Sequence, residues 1–186
     1  YFLVMRDIYN SPIIWFTGMS GSGKSTLSIY LELFFLKKNY SIYILDGDDV
    51  RDNDKKKLGF DYKSVLKNNL RISKLCLNLR REYDVVVVPV ISPYEGIRKQ
   101  VRLMLQPNFH LIYLKSDIGS LRDRDTKGLY SAADQGVISD LIGYSDVNPY
   151  DVPINTELTI ETGNDTTIND SIEQLYRYIN KSVFAD

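Results

Sequence analysis

The residues best suited to chemistry form one glycine-rich stretch, GMSGSGKS, at residues 18–25. It fits the pattern G-x-x-x-x-G-K-[ST] and follows an apolar run typical of a buried strand. Glycines let backbone N–H groups surround phosphate oxygens, and the start of a following helix adds positive charge. Lys24 would neutralise the β- and γ-phosphates of a bound nucleotide, and the Ser25 hydroxyl would bind Mg²⁺. The predicted ATP-binding residues are Gly18, Ser20, Gly21, Ser22, Gly23, Lys24, Ser25 and Thr26.

A second group of reactive side chains follows the next predicted strand, in the sequence DGDDVR at residues 46–51. The carboxyl ends of parallel strands line the ligand crevice of an α/β sheet. Asp46 and Asp48 could there orient a hydroxyl, accept its proton and order the water around Mg²⁺. Arg51 could bind an anionic group. The competing interpretation is a solvated acidic turn without a role in catalysis.

The residues after the glycine-rich loop narrow the class of phosphate-binding protein. A GTPase requires an N/T-K-x-D motif, which is missing after residue 25. The sequence DTKG at residues 125–128 matches D-x-x-G, but this short pattern is weak and comes late in the chain. No long coupling region of a motor protein is present. The pattern therefore favours a small kinase.

Short apolar runs alternate with helical patterns along the chain. This alternation predicts an α/β fold of three layers, a parallel sheet with helices on both faces. The four valines at residues 85–88 are typical of a strand buried on both sides. The predicted strands are residues 13–17, 41–45, 85–88, 111–114 and 158–161, and the predicted helices are residues 26–38, 65–81, 97–105 and one that contains Ile168, Ile172, Leu175 and Ile179.

Two segments break this alternation. Residues 49–57 are charged and lack a pattern facing the core, so they are predicted to be a loop or an exposed helix. Residues 116–153, called the lid segment below, are rich in Arg, Asp, Lys and Gly, with one short helical pattern near residues 131–137. A connection this long is usually functional and often closes over a substrate.

Composition limits the other classes of function. The 186 residues are expected to form a single domain, and the net charge of −1 argues against a nucleic-acid partner. The single cysteine, Cys76, excludes an internal disulfide and suits a cytoplasmic protein. No apolar run approaches 18 residues, so no membrane span is expected. The chain begins with Tyr1, which leaves open that it belongs to a longer polypeptide.

Five motifs in order resemble the adenylylsulfate kinase family: WFTGMSGSGKSTL, LDGDDVR, ISPY, RDTKGLY and NPYDVP. The resemblance covers about residues 12–180. It implies transfer of the γ-phosphate of ATP to the 3′-hydroxyl of adenosine 5′-phosphosulfate, with Mg²⁺ as cofactor. Members of the family often pair, which leaves a homodimer open.

The resemblance also implies roles for individual residues. Asp48 would be the general base, and Asp46 would support the metal. Ser92 has been proposed as a transient phosphoryl acceptor in the family, although direct transfer is simpler chemistry. Arg124 would lie against the adenine of ATP, and Lys127 would neutralise phosphate charge. The residues implied for the acceptor nucleotide are Asp48, Arg51, Phe60, Asn68, Ile91, Ser92, Lys127, Gly128 and Leu129.

Departures from the family pattern concentrate on the acceptor side. Val65 stands where an arginine is usual, Lys67 where a glutamate is usual, and Glu95 where an arginine is usual. Leu141 replaces a stacking aromatic, for which Tyr144 is a candidate substitute. Three alternatives therefore stay open: adenylylsulfate as acceptor, another nucleotide such as cytidine diphosphoramidate, or an inactive ATP-binding module.

Overall fold

A computed structural model describes residues 10–53 and 58–183. Within these two ranges, five strands are connected by one or two α-helices each and seven α-helices are present, and a π-helical turn at Ile179–Val183 follows the last helix. The strands are β1 Ile13–Thr17, β2 Ile42–Ile44, β3 Val85–Pro89, β4 Phe109–Lys115 and β5 Leu158–Glu161. The helices are α1 Lys24–Lys37, α2 Gly47–Asp52, α3 Tyr62–Leu79, α4 Glu95–Leu105, α5 Ile118–Arg124, α6 Leu129–Asp134 and α7 Ile168–Tyr178.

The five strands form one parallel sheet in the order β2-β3-β1-β4-β5. Successive residues of β1 face opposite sides: Ile13 and Trp15 pack in the core that contains residues of α3 and α4. Ile14 and Phe16 pack in the core that contains residues of α1 and α7. The sheet is therefore buried on both faces, which confirms the predicted three-layer α/β fold.

Several element boundaries differ from the prediction. The acidic turn after β2 is already helical, since α2 begins at Gly47 and places Asp48 in its first turn. The predicted stretch 49–57 lies partly outside the described residues. Helix α4 starts at Glu95, two residues earlier than the apolar spacing indicates, because a helix's first turn need not face the core.

The lid segment contains two helices, of which α5 was not predicted. A small apolar cluster of Leu121, Tyr130 and Leu141 holds it together. The Tyr130 hydroxyl donates to the backbone oxygen of Ser20 at 2.8 Å, which attaches the lid segment to the glycine-rich loop. Within the described ranges, no helix combines the length and apolar character needed to cross a bilayer.

Candidate active site

The glycine-rich loop joins the end of β1 to the start of α1, as predicted. Gly23 is the residue before α1 and has φ 97°, a left-handed conformation that side chains with a Cβ rarely adopt. The Lys24 ammonium donates to the backbone oxygens of Gly18 and Met19, both at 2.8 Å. These bonds hold the lysine across the mouth of its own loop, where a phosphate would lie.

The electrostatic environment of Lys24 is unusual. Burial lowers the pKa of this ammonium from 10.5 to about 8, because the charged form loses its hydration. Asp48 and Asp46 partly offset this by favouring the charged form, whereas Lys127 disfavours it. The loop thus holds a cation that a bound anion would stabilise.

The two predicted carboxylates lie at the start of α2. Asp46 is the N-cap residue of this helix, and its side chain accepts a hydrogen bond from the Asp48 amide at 2.8 Å. The carboxylate of Asp48 is half exposed and remains available to a ligand. Helix α2 follows β2, so both carboxylates stand at the carboxyl end of the sheet beside the glycine-rich loop.

Lys127 reaches Asp48 from the lid segment. Its Nζ lies 3.1 Å from Asp48 Oδ2, and both side chains are more than half exposed. An ion pair this exposed contributes little to stability. It can therefore open at small cost when a substrate enters, and either charged group can then contact the ligand.

One cavity of about 560 Å³ joins these groups. Of the predicted ATP-binding residues it is lined by Ser20, Gly21, Ser22, Gly23, Lys24, Ser25, Thr26 and Arg124, and of the predicted catalytic groups by Lys24, Asp46, Asp48 and Lys127. Gly18 lies behind this lining and contributes its backbone oxygen to Lys24. The structure therefore brings the predicted donor-side residues together in one place.

Beside the predicted Arg124, the cavity is lined by residues of the β5–α7 connection, which sequence reasoning missed. Arg124 donates to Ser116 Oγ at 2.7 Å and to the Thr162 backbone oxygen at 2.5 Å, which joins α5 to the β5–α7 connection. These small polar residues have no charge or periodic spacing that could have indicated them. The additional lining residues are Leu27, Pro89, Val90, Thr126, Thr162, Gly163, Asn164, Thr166, Thr167, Ile168 and Ser171.

The predicted acceptor-side residues are placed less uniformly. Ile91 lines the cavity, but Arg51, Phe60 and Asn68 do not. The Arg51 guanidinium lies 4.7 Å from the centre of the Phe60 ring, and that ring is 37% exposed. Asn68 is fully buried and donates to the Gly47 backbone oxygen at 3.3 Å, while its Oδ1 lacks a hydrogen-bond partner among the described residues.

Ser92 is not brought to the cavity. Its side chain is 1% exposed, and its hydroxyl donates to Asn69 Oδ1 at 2.7 Å. Its backbone has φ 45°. As placed here, the hydroxyl is a donor within the protein and is not presented to a phosphate.

The structure also shows where residues that depart from the family pattern on the acceptor side lie. Val65 is a residue of α3 and is buried in the core on the inner side of that helix. Leu141 is buried in the lid cluster, and Leu129 packs against that cluster. Gly128 is the N-cap residue of α6. Tyr144 stands edge-on against Tyr130, with ring centres 5.3 Å apart. None of these five residues lines the cavity.

Chemically, the arrangement suits phosphoryl transfer. A backbone cradle and Lys24 can hold a polyphosphate, Arg124 and the β5–α7 connection can hold a base, and Asp48 can accept a proton. Asp48 of α2 and Lys127 of the lid segment both line the cavity, so an acceptor hydroxyl bound beside them would lie next to a group that can accept its proton.

Comparison with known proteins agrees with this geometry. A family model described as adenylylsulphate kinase matches residues 10–161. An adenylyl-sulfate kinase of Staphylococcus epidermidis is 40% identical over 175 residues, which cover 94% of this chain and 86% of the relative. Among solved structures, that of the Mycobacterium tuberculosis APS kinase in complex with AMPPNP and APS gives a TM-score of 0.79 at 30% identity, over 92% of this chain and 98% of that one.

A more distant likeness extends to the fold alone. The structure of a gluconokinase from Sinorhizobium meliloti gives a TM-score of 0.62 at 15% identity, over 92% of this chain and 93% of that one. The family model, by contrast, spans most of the chain, and the staphylococcal relative is similar over nearly its whole length. This chain therefore belongs to the adenylylsulphate kinase family.

Proposed function

We propose that this protein transfers the γ-phosphate of ATP to the 3′-hydroxyl of adenosine 5′-phosphosulfate, giving 3′-phosphoadenylylsulfate and ADP. The observation that carries the proposal is the convergence of Lys24, Asp48 and Lys127 on one cavity. Membership of the family supports the choice of acceptor.

In the proposed reaction, ATP lies along the cavity with its phosphates in the glycine-rich loop and its adenine beside Arg124. The Asp48 carboxylate accepts the proton of the acceptor's 3′-hydroxyl, and that oxygen forms a bond to the γ-phosphorus. The bond from the γ-phosphorus to the bridging oxygen breaks, and ADP leaves with that electron pair. Lys24 neutralises the charge that develops on the phosphates.

The donor set also suits Mg²⁺. The hydroxyl of Ser25 and the carboxylates of Asp46 and Asp48 line the same cavity, and hard oxygen ligands are those that this ion prefers. When bound with ATP, the ion would screen phosphate charge and fix the phosphate geometry. The Asp46 carboxylate is held in place by the hydrogen bond that it accepts from the Asp48 amide at 2.8 Å.

A changed acceptor is the second candidate. The burial of Val65 in the core leaves no guanidinium at a position where the family usually provides one. Loss of such a charge-assisted contact is worth about 1.5–3 kcal/mol. A less anionic nucleotide, such as cytidine diphosphoramidate, would be affected less by this loss.

A coupled assay of ADP release tests both candidates. The panel contains adenylylsulfate, cytidine diphosphate derivatives, AMP and a reaction without acceptor, each with ATP and Mg²⁺. We expect kcat/KM for adenylylsulfate to exceed that for every other acceptor by about tenfold or more, because the free energy of one charge-assisted contact corresponds to a factor of this size. Lys24→Ala is the control and should lose turnover with all acceptors. A cytidine derivative ranking first would establish the second candidate, and AMPPNP binding without any turnover would indicate an inactive module.

A further inference from the structure

Helix α4 carries a buried arginine that the proposed reaction does not use. The side chain of Arg98 is 1% exposed. Its guanidinium donates to the backbone oxygen of Ser92 at 2.8 Å, to the backbone oxygen of Asp151 at 2.7 Å, and to Glu95 Oε2 at 2.8 and 3.1 Å. It also lies 5.6 Å from the centre of the Tyr150 ring. One guanidinium thus joins three parts of the chain, of which the third is the start of its own helix.

The first of these parts is the end of the lid segment. Asp151 makes two further bonds to the same region: its amide donates to the Pro93 backbone oxygen at 2.8 Å, and its carboxylate accepts from the Glu95 amide at 3.0 Å. The Tyr150 hydroxyl lies 2.8 Å from Thr17 Oγ1. The chain is therefore attached where it returns from the lid segment to the sheet.

The second part is the corner formed by Ile91 and Ser92, which leads from β3 to α4. Ile91 lines the cavity, and its backbone oxygen accepts a bond from Thr17 Oγ1 at 2.6 Å. Ser92 has φ 45°, an uncommon conformation for a residue with a Cβ. Bonds from Arg98 and to Asn69 hold it on two sides. Thr17 directly precedes the glycine-rich loop, so the corner, the loop and the lid segment meet here.

The third part is Glu95, whose charge has a local explanation. A buried guanidinium needs a counter-charge, because removing it from water is expensive. Glu95 provides that charge and is 15% exposed. Glu95 is not among the residues that line the cavity, and two bonds from Arg98 go to one oxygen of its carboxylate, so its charge already has a partner within the protein.

We propose that Arg98 is a positioning residue for phosphoryl transfer, because it fixes Tyr150 and Asp151 against the Ile91–Ser92 corner. In this proposal Glu95 is the charge partner of Arg98 and does not contact the acceptor. The inference rests on the proposed kinase function for its kinetic consequences. Its structural content, an anchored return of the lid segment, is independent of the acceptor.

The first test compares Arg98→Ala with Arg102→Ala. Arg102 lies one turn later on α4 and also pairs with a carboxylate, Glu157 at 2.6 and 2.9 Å, but neither residue lines the cavity. We expect Arg98→Ala to lower kcat/KM for the acceptor by about 100-fold, as for a misplaced site, with AMPPNP affinity within about threefold of wild type. Arg102→Ala should stay within about threefold in both. Equal losses in the two variants, no loss in Arg98→Ala, or an equal loss of AMPPNP affinity would overturn the proposal.

The second test uses Glu95→Gln, which keeps the shape of the side chain and removes its charge. If Glu95 faced an anionic acceptor, this change would lower KM for that acceptor. If Glu95 is instead the charge partner of Arg98, Glu95→Gln should leave that KM at or above the wild-type value. A clear fall in KM would overturn the assignment of Glu95. This variant also keeps the proposal testable if Arg98→Ala does not fold.

Hydrogen exchange in the free protein separates this proposal from the proposed function. The amides of Asp151 and Glu95 both donate within the cluster. We expect their exchange to be at least about tenfold faster in Arg98→Ala than in Arg102→Ala, since only the first variant releases the local structure. Equal exchange would overturn the anchoring role. If the wild type phosphorylated none of the acceptors, the proposed function would fail, but this measurement would still decide the role of Arg98.

Discussion

Lys24 combines two requirements that oppose each other. Its positive charge is needed to bind phosphate groups. However, the position of the ammonium within the loop removes it from water, and this burial lowers its pKa to about 8. In the free protein, the ammonium is held by backbone oxygens of Gly18 and Met19, which are acceptors without full charge. Triphosphate would replace them with charged oxygens and favour the protonated form.

Nucleotide binding should therefore depend on pH. Because the pKa of free Lys24 is about 8 and a bound phosphate raises it, binding above that pH must take up a proton. We expect AMPPNP affinity to be level from about pH 7 to about pH 8 and then to fall by up to about tenfold per unit of pH. Calorimetric titration from about pH 7 to about pH 9.5 would measure this.

Lys24→Met is the matched control, because it keeps an unbranched side chain one atom shorter than lysine and removes the titrating group. Its weaker affinity should not change with pH over this range. A wild-type affinity equally independent of pH would contradict the assigned pKa.

At the scale of elements, α2 is the short helix that carries both carboxylates. It lies directly on the end of β3: a Cβ built on Gly47 would stand 2.6 Å from Val90 Cγ2 and 2.8 Å from Val90 Cβ. Only glycine permits this approach. The position of Asp46 and Asp48 relative to the glycine-rich loop thus depends on a contact that involves no catalytic group.

Gly47→Ala should displace the first turn of α2 and reduce kcat by about 10- to 100-fold, because Asp48 would no longer meet the acceptor hydroxyl. AMPPNP affinity should change by less than about threefold, since the loop itself is untouched. Steady-state kinetics and a binding titration would measure the two effects.

Gly96→Ala serves as the control, because a Cβ there would make only an ordinary contact, 3.5 Å from the Tyr62 hydroxyl. The double variant Gly47→Ala with Val90→Ala should regain part of the lost kcat, because it removes Val90 Cγ2, the nearer of the two atoms that collide, although Val90 Cβ remains. Wild-type kcat in Gly47→Ala would show that the packing of α2 does not set the position of Asp48.

The helices and strands that were predicted from the sequence have strong apolar patterns, and those that were not predicted lack such patterns. The valine run of β3 and the apolar spacing of α3 and α7 indicate buried faces, so these elements were predicted. Helix α5 has seven residues, of which three are charged, and is started by Asp117, whose side chain accepts from the Ser120 amide at 2.8 Å. Such a short helix depends on its cap and its neighbours more than on its own periodicity.

At the scale of the molecule, the parallel sheet brings distant motifs to one edge. The loop after β1, the carboxylates after β2 and the corner after β3 are neighbours because those strands lie side by side in the order β2-β3-β1. The donor half of the site could be predicted from the sequence, since each of its motifs is contiguous. The β5–α7 connection could not, because its small polar lining residues have no periodic pattern and one of them, Thr162, contacts Arg124 through its backbone oxygen. The Arg98 cluster could not, because it is assembled from residues of several segments through backbone contacts.

The central claim is the transfer of phosphate from ATP to the 3′-hydroxyl of adenylylsulfate, with Asp48 as base. Its most direct test is to identify the product by phosphorus NMR and mass spectrometry after incubation with ATP, Mg²⁺ and adenylylsulfate. We predict one new phosphate ester at the 3′ position, no product from the 3′-deoxy analogue, and at least about a 100-fold slower reaction with Asp48→Asn, which should still bind AMPPNP. A phosphate on any other atom, or turnover in Asp48→Asn equal to that of the wild type, would contradict the account.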